Sequence, residues 1–332
     1  MRARMRRGYG WGMRFGLVSA ALLLAFSWSS MAGSAEAPFP NKPITIVVNY
    51  APGGVMDTHA RIFGDRLAEV LGQPVLKVHK PGGGGTLGAS FAARAKPDGY
   101  TLFTGTSSSL ILTPIIKKVD YTWEDFVSIG IYCRGAVSLY VKKEAKWKTL
   151  PDFIQEGKER QLVVSSSGKL THTDFVQAIF AKMAGVKQAH VPYKSCGEAV
   201  AALLGGHVDA DFCQSSMGQL AAGAVRILAV ADYERSKINP EINTFKELGY
   251  PVALPLYYSL CVPAKTPKNV IEILGNGMQE VFKRYGKEIQ EELIRVEFIP
   301  SFFTVQQSMQ EFKKDYETSL KVVQDSALPI EK

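Results

Sequence analysis

The sequence is poor in the side chains from which metal and catalytic sites are built. It has four cysteines and five histidines in 332 residues, and they are scattered along the chain without a C-x-x-C pair. The densest group of possible metal ligands is His207-Val-Asp-Ala-Asp211. Alternating polar residues at the start of a strand are more typical of a solvated face. We therefore expect neither a metal site nor a bound cofactor.

The cysteines leave two interpretations open. Cys133, Cys196, Cys213 and Cys261 could form disulfides in an oxidising compartment. Their apolar neighbours in the sequence fit buried free thiols equally well. The spacing alone assigns no disulfide.

Motifs of common enzyme classes are missing as well. The chain contains no G-x-S-x-G elbow, which carries the nucleophile of α/β-hydrolases. The glycine run at residues 82–88 lacks the Gly-Lys-Ser/Thr ending of a phosphate-binding P-loop. Lysine and arginine form no cluster interleaved with aromatic residues, so we expect no nucleic-acid partner.

Long apolar runs are confined to the start of the chain. Residues 1–37 combine an arginine-rich beginning, a short apolar stretch and small residues that end in Ala35-Glu36-Ala37. This layout is typical of a secretory signal peptide, and we expect cleavage after Ala37 and a periplasmic protein. The leader holds five arginines and one glutamate, so its removal lowers the net charge from +8 to +4. The remaining chain is long enough for two domains.

Two glycine-rich turns, each between an apolar run and a helical segment, stand out in the first hundred residues. The first contains Gly53 and Gly54, and the second is the run from Gly82 to Gly85. Unpaired backbone N–H groups and the helix dipole attract anions to such a turn. One turn of this kind is ordinary α/β geometry. Two of them predict a seat for an anion.

The rest of the chain alternates short apolar runs with amphipathic helical segments. Polar turns follow the predicted strands 100–104 and 162–165, at residues 105–109 and 165–171. Strands separated by helices predict an α/β fold with parallel sheets between helices. Ligands of such folds bind beyond the carboxyl ends of the strands, where these turns lie.

A set of motifs, in constant order, resembles the Bug family, the extracytoplasmic solute-binding components of tripartite tricarboxylate transporters. The resemblance runs from about Pro38 to about Ser319. Its motifs are Pro40-x-Lys-Pro-Ile, Ala51-Pro-Gly-Gly-x-x-Asp57, Lys80-Pro-Gly-Gly-Gly-Gly, Ala95-Lys-Pro-Asp-Gly-Tyr-Thr-Leu102, Val191-Pro-Tyr-Lys194, Ala202-Leu-Leu-Gly-Gly-x-Val-Asp209 and Pro263-Ala-x-Thr-Pro267.

The resemblance implies an α/β fold of the two-lobed periplasmic-binding-protein type (type II-like), a clam in which each lobe is a mainly parallel sheet flanked by helices. The chain is expected to cross between the lobes near residues 135–141 and 256–262. The implied division is a signal peptide (1–37), the first part of lobe one (38–134), lobe two (135–258) and the second part of lobe one (259–332).

The implied function is capture of a small organic carboxylate without catalysis, by a monomer that delivers it to the membrane permease subunits of a tripartite tricarboxylate-type transporter. Two alternatives remain open. The protein could be a ligand-loaded sensor subunit for a membrane receptor kinase, or a secreted α/β enzyme.

The resemblance also implies the ligand-binding residues. On lobe one they are Tyr50, Gly54, Val55, Asp57, Gly84, Thr86, Thr106 and Ser107. On the facing wall they are Ser166, Gly168 and Thr171, with Phe212 behind. Lys169, in the same turn, is a further candidate that the resemblance does not supply.

Two of these residues have an alternative role. Asp57 either accepts a hydrogen bond from the ligand or serves as a cap and favourable first-turn charge of its helix. Lys169 either meets a second anionic group or is simply solvated. The third turn departs from the family pattern, since Asp174 occupies the place of a histidine.

Overall fold

The computed structural model describes the residues 38–169, 171–214, 222–236, 239–295, 298–326 and 330. The chain divides into a short N-terminal unit, residues 1–41, and a second unit, residues 42–332. The described residues of the first unit carry no helix or strand. The predicted signal peptide and its cleavage site lie outside the described residues.

The second unit contains two sheets. In chain order the strands are β1 (Ile44–Val48), β2 (Val75–His79), β3 (Thr101–Thr106), β4 (Phe126–Gly135), β5 (Val137–Lys142), β6 (Leu162–Ser166), β7 (Gln188–Pro192), β8 (Ala210–Cys213), β9 (Val225–Ala231), β10 (Leu256–Pro263) and β11 (Ile299–Phe303). The order in the six-stranded sheet is β11-β4-β10-β3-β1-β2, and in the five-stranded sheet it is β7-β6-β8-β5-β9. We call the sheets, with the helices packed on them, the first and the second lobe.

The helices follow the polar and glycine-containing turns. They are α1 (Val55–Leu71), α2 (Thr86–Ala93), α3 (Thr113–Ile116), α4 (Leu150–Glu159), α5 (His172–Ala184), α6 (Cys196–Gly205), α7 (Lys268–Arg295) and α8 (Val305–Ser326). Helix α1 buries Ala60, Phe63 and Leu67 on one face, as its apolar spacing predicts, and ends at Gly72 in the left-handed conformation. Helix α4 begins with a capping box, in which Thr149 and Asp152 bond to each other's backbone.

Both sheets are mixed, where mainly parallel pairing was expected. Strands β1, β2 and β3 pair in parallel, as do β6, β7 and β8. Strand β10 runs antiparallel to β3 and β4, and β5 runs antiparallel to β8 and β9. The reason is that β5 and β10 each enter their sheet from the other lobe. They therefore run away from the junction at which the parallel strands end.

The chain passes directly from one sheet to the other. Strand β4 of the first lobe and β5 of the second are separated by Ala136 alone. The return connection runs between the ends of β9 and β10, Ala231 and Leu256. The two-lobed α/β class is thereby confirmed, whereas the exact domain boundaries stay a prediction.

Large aromatic side chains fill the core of the second unit. The buried rings include Phe180, Phe212 and Phe245, which pack on one another, and Tyr257 stacked on Phe312 of α8 at 5.3 Å. Helix α8 contacts β4 of the first lobe and also α5 of the second. One hydrophobic core therefore reaches from each sheet to this helix.

The structure resolves the open question of the cysteines. Cys196 and Cys213 form a disulfide, with their Cα atoms 5.8 Å apart. Cys133 and Cys261 are free and fully buried. The spacing of the cysteines does not predict this pair, because its partners lie at a helix start and a strand end that only the fold brings together.

One expected loop is regular structure. The sequence predicts a turn at the polar segment 105–109, but β3 continues to Thr106 and residues Ser108–Leu112 form a π-helical turn that leads into α3. The difference arises because the hydroxyl groups of Thr106 and Ser109 bond to each other and to the backbone of this turn. Serine and threonine side chains can satisfy the backbone in this way inside an element.

Candidate functional site

A cavity of about 320 Å³ lies between the two lobes, at the carboxyl ends of the parallel strands. Tyr50, Thr106, Ser167 and Gln214 lie at or just after the ends of β1, β3, β6 and β8. The described lining consists of Tyr50, Ala51, Pro52, Gly54, Val55, Met56, Thr106, Ser108, Ser167, Thr171, His172, Thr173, Lys194, Ser195, Cys196, Gln214, Leu256 and Tyr258.

The first glycine turn presents the start of α1 to this cavity. Gly54 is the N-cap residue, and no side chain caps the helix among the described residues. Gly53 has a φ of +80°, which favours glycine, and an added Cβ would meet no atom within 4 Å. The N–H groups of the first turn of α1, at Val55 and Met56 of the lining, therefore lack an intrahelical acceptor.

Asp57 stabilises the first glycine turn by a hydrogen bond to its backbone. Its Oδ2 accepts a hydrogen bond from the Gly53 N–H at 3.0 Å, and its Oδ1 lies 2.8 Å from His79 Nε2. Burial works against the ionised carboxyl group, but these two bonds and the charges of His79 and Arg61 hold the pKa of Asp57 below its usual value. Asp57 is not among the residues that line the cavity.

The second glycine turn packs tightly on the first. The Tyr50 hydroxyl donates a hydrogen bond to the Gly84 carbonyl at 3.0 Å. A Cβ on Gly88 would lie 2.8 Å from Asn49 Cβ and 2.9 Å from Asn49 Cα, so only glycine fits there. Gly83, Gly85 and Gly88 happen to match the G-x-G-x-x-G spacing of dinucleotide sites. This contact with Asn49 accounts for the last of these glycines without a nucleotide.

A buried network of polar side chains lies beside the two glycine turns. The Thr104 hydroxyl donates to Asn49 Oδ1 at 3.0 Å and accepts from the Asn49 N–H at 3.3 Å. Thr106 and Ser109 bond to each other at 3.0 Å. Burial raises the pKa of Tyr50 to about 12, although its hydrogen bond with Thr106 opposes the shift. These side chains therefore carry no charge at neutral pH, and their hydrogen bonds hold them in place.

The second lobe contributes a wall of hydroxyl groups. Thr171 caps α5 by accepting from the Asp174 N–H at 3.3 Å, and its hydroxyl lies 2.8 Å from that of Thr173. Ser167 bonds to Thr173 through both its N–H, at 3.1 Å, and its hydroxyl, at 2.9 Å. These bonds give the turn one defined shape.

Lys169 points away from this wall towards a neighbouring cluster. Its Nζ lies 3.0 Å from His190 Nδ1 and 3.8 Å from Asp174 Oδ1, and its side chain is 64% exposed. Burial lowers the pKa of His190, the charge of Asp174 opposes this change and the charge of Lys169 adds to it. His190 Nε2 in turn lies 2.7 Å from Ser166 Oγ.

The charge in the cavity comes from the start of α6. Lys194 lies two residues before the helix, and Ser195 caps it by accepting from the Glu198 N–H at 3.2 Å. His172 also lines the cavity and donates from Nε2 to the Leu254 carbonyl at 3.0 Å. Burial lowers the pKa of His172 to about 4, although this bond opposes the shift, so the ring is neutral at pH 7. Among the described lining residues, Lys194 alone carries a full charge there.

The residues predicted from the sequence fall into two groups. Those that line the cavity are Tyr50, Gly54, Val55, Thr106 and Thr171. Those that do not are Asp57, Gly84, Thr86, Ser107, Ser166, Gly168, Lys169 and Phe212. Two of the second group bond to lining residues: the Gly84 carbonyl accepts from the Tyr50 hydroxyl, and the Gly168 carbonyl accepts from the Thr171 hydroxyl. Phe212 is fully buried in the core, without exposure to the cavity.

Sequence reasoning missed several lining residues, above all Lys194, His172 and Gln214. Lys194 belongs to the Val191-Pro-Tyr-Lys194 motif, and its place between a strand and a helix was the available signal. His172 and Gln214 carried no such signal, because their position depends on how α5 and β8 meet the crossover strand β10.

Across the part of the chain that the structure describes, no helix is long and apolar enough to cross a membrane.

Comparisons with known proteins agree with this arrangement. A family model described as "Tripartite tricarboxylate transporter family receptor" matches residues 59–328. Protein BugT of Bordetella pertussis is 30% identical over 256 residues, which cover 74% of this chain and 78% of BugT.

Solved structures show the same fold. One described as a periplasmic transporter is 32% identical with a TM-score of 0.74, and the match covers 88% of this chain and 99% of that chain. Rpa4515 of R. palustris, solved with adipate, is 24% identical with a TM-score of 0.74, over 88% of this chain and 99% of that chain. Because the family model covers most of the sequence, the chain belongs to the tripartite tricarboxylate transporter receptor family, whose members are periplasmic solute-binding proteins and not enzymes.

Proposed function

We propose that this protein captures a small organic carboxylate in the interlobe cavity and delivers it to the membrane subunits of a tripartite tricarboxylate-type transporter. The observation that carries the proposal is the meeting of three helix starts at one cavity. Helix α1 begins there from the first lobe, and α5 and α6 begin there from the second. Each helix start offers unpaired N–H groups and the positive end of its dipole.

The electrostatics of the lining favour an anion. Lys194 adds a positive charge, the described lining has no carboxylate, and His172 is neutral at pH 7. A neutral sugar would leave these donors and the lysine without a charged partner. A carboxylate accepts several hydrogen bonds at once and matches them.

The two walls also explain why binding would close the lobes. The donors of α1 belong to the first lobe, while those of α5 and α6 belong to the second. A ligand that touches the donors of both lobes makes more contacts in the closed form than in the open form. This difference in interaction free energy between the two forms drives closure. We infer that the hinge lies at the predicted crossovers, residues 135–141 and 256–262, which include the junction of β4 with β5 and the start of β10.

We further propose that the lining residues Tyr50, Gly54, Val55, Thr106 and Thr171 contact the ligand directly. Asp57, Gly84 and Gly168 would hold the turns that these residues occupy, through their hydrogen bonds. This assignment follows the geometry of the described lining.

A ligand screen tests the carboxylate. The protein without its leader is titrated with succinate, adipate and citrate, and with adipamide as a neutral match to adipate, by calorimetry and thermal shift. At least one acid should bind and raise the melting temperature with concentration, whereas adipamide should not. Stabilisation by the neutral amide alone would overturn the proposal.

Lys194 allows a matched pair of variants. Lys194→Gln should weaken binding of the acid about tenfold or more, because a hydrogen bond with a charged group contributes about 1.5–3 kcal/mol. Lys182→Gln, at an exposed position in α5, serves as the control and should leave the affinity unchanged. Equal affinity of the two variants would exclude Lys194 from the site.

Delivery needs a cellular measurement. Deletion of the gene should abolish uptake of the radiolabelled acid, and a plasmid copy should restore it. The sensor alternative predicts instead that uptake persists while the transcriptional response to the acid is lost.

A further inference from the structure

A second cavity lies beside the crossover from β4 to β5. It has a volume of about 180 Å³ and is lined by both lobes. We call this cavity the apolar chamber, because its lining includes the large apolar residues Ile227, Val230, Ile242, Ile294, Phe298 and Ile299. The first two come from β9 of the second lobe, whereas the last three come from the end of α7 and the start of β11 in the first.

The chamber shares a wall with the interlobe cavity of about 320 Å³, which we call the carboxylate cavity. Gln214 lines both of them. Its side chain is hydrogen-bonded to the hydroxyl group of Tyr258, which lines the carboxylate cavity. The Tyr258 ring packs edge to face on Phe298 of the chamber, with 5.1 Å between the ring centres. The partition between the two spaces is therefore a few side chains thick.

Gln214, in the partition, is only half-buried. Gln214 has an unbranched side chain, and such side chains change rotamer rapidly where they are not tightly packed. Its amide also exchanges one hydrogen-bond partner for another at small cost. Rotation of this side chain would join the chamber to the carboxylate cavity.

The chamber lining also contains polar residues, of which Arg134 and Asp232 form an ion pair. Arg134 Nη2 lies 3.5 Å from Asp232 Oδ1 and 3.5 Å from Glu311 Oε1. Asp232 follows the end of β9, as do Glu234, Ser236 and Asn239, whereas Ser138 lies in β5 and Gln214 directly follows β8. Of the apolar lining residues, Val230 is 5% and Phe298 1% exposed, whereas Ile294 is 50% exposed. This is an environment for an apolar group.

Its size can be compared with a known case. An apolar protein cavity of about 150 Å³ stays dry and binds benzene. The chamber, at about 180 Å³, exceeds that volume. A group of the size of a phenyl or cyclohexyl ring therefore fits.

We propose that the apolar chamber is a subsite for the hydrophobic part of the ligand, so that the preferred ligand is a carboxylate with an apolar group of about the size of a benzene ring. The inference rests on the proposed function, because the carboxyl group of the same molecule occupies the cavity at α1, α5 and α6.

Two acids that differ by one phenyl group test the subsite. Succinate and phenylsuccinate are titrated by calorimetry under identical conditions. Phenylsuccinate should bind about ten- to a hundredfold more tightly, which corresponds to burial of one aromatic side group. The comparison in the unmodified protein needs no variant, so it holds even if a variant fails to fold.

Variants then locate the gain. Ile242→Asn places an amide in the chamber and should remove the advantage of phenylsuccinate while leaving succinate binding unchanged. Leu76→Asn is the control, because Leu76 is 53% exposed on β2 and lies outside both linings. It should preserve the advantage.

A neutral probe separates this inference from the proposed function. Toluene should raise the melting temperature of the unmodified protein and of Leu76→Asn, but not of Ile242→Asn. Equal affinity for the two acids overturns the subsite and leaves the carboxylate function standing. If neither acid binds while toluene still stabilises only the proteins that keep Ile242, the chamber takes apolar groups and the proposed carboxylate function fails.

Discussion

Removal of the charge at Asp57 separates the support of the first glycine turn from contact with the ligand. Asp57→Asn keeps an acceptor for the Gly53 N–H, which now bonds to the carboxylate at 3.0 Å. It removes the charge that faces His79 at 2.8 Å and Arg61 at 3.8 Å. Because the carboxyl group already serves these partners and does not line the cavity, we expect the main loss in stability.

The magnitude follows from these contacts. The Asp57 side chain is 14% exposed and that of His79 is 22% exposed, so solvent screens the pair only in part. Loss of a hydrogen bond to a charged group costs about 1.5–3 kcal/mol. For a chain of this size that free energy lowers the melting temperature by roughly 3–6 °C. Asp65→Asn in the same helix is the control, because its pair with Lys77 is largely exposed and should contribute less than about 1 kcal/mol.

The pH dependence gives an independent check. The pKa of Asp57 is lower in the folded protein than in the unfolded chain, so its contribution is complete above the unfolded pKa. The contribution is lost as the pH falls through the folded pKa. The difference in melting temperature between Asp57→Asn and the unmodified protein should therefore be present at pH 7 and shrink below about pH 4.

Calorimetric titration decides between the two roles. We expect Asp57→Asn to change the affinity for the best-binding acid less than threefold, about 0.65 kcal/mol. A tenfold or greater loss of affinity with an unchanged melting temperature would refute this reasoning. Asp57 would then be a direct ligand contact.

Other parts of the fold can be tested in the same way. Replacement of Cys196 and Cys213 by serine should lower the free energy of unfolding by about 3 kcal/mol, since the disulfide closes a loop of 17 residues. Urea denaturation measures this loss, and equal midpoints for the variant and the unmodified protein would contradict it. Gly88→Ala should destabilise the folded protein by about 1–3 kcal/mol, because the added Cβ would lie 2.9 Å from a backbone atom. Gly286→Ala should stabilise the folded protein by about 0.5–1 kcal/mol, because Gly286 lies within α7 with open space around it. Burial raises the pKa of Asp211 to about 7, against the effect of its hydrogen bond with Ser165, so stability should fall as the pH rises from 4 to 7. Burial also raises the pKa of Asp315 to about 7, so in Asp211→Asn the fall between pH 5 and pH 8 should be smaller than in the unmodified protein but not absent.

Local patterns in the sequence predict much of the fold. A helix over residues 57–71 was expected from the spacing of Ala60, Phe63, Leu67 and Val70; α1 buries the first three, and Val70 is half-buried. The direction of β5 and β10 was not foreseen. Pairing direction depends on which lobe a strand enters from, and the apolar run of a strand carries no information on this.

The site was predicted best where the backbone itself makes it. Gly54 and Val55 line the cavity because a glycine turn at a strand end is a local feature with a local signal. Residues that reach the cavity from the crossover side, such as Gln214 and Tyr258, depend on long-range packing. Lys169 and Lys194 both follow strands of the second lobe, yet only Lys194 faces the cavity, because His190 and Asp174 hold the other lysine.

The state of the cysteines makes this protein suitable as an optical sensor. Cys196 and Cys213 are joined, and burial raises the pKa of Cys133 far above its usual value and that of Cys261 to about 12. None of the native sulfur atoms therefore offers a reactive thiolate at neutral pH. A single cysteine introduced at the rim of the cavity could be labelled with a maleimide dye in the native background. Its fluorescence would report occupancy of the cavity directly, for any solute that the protein accepts.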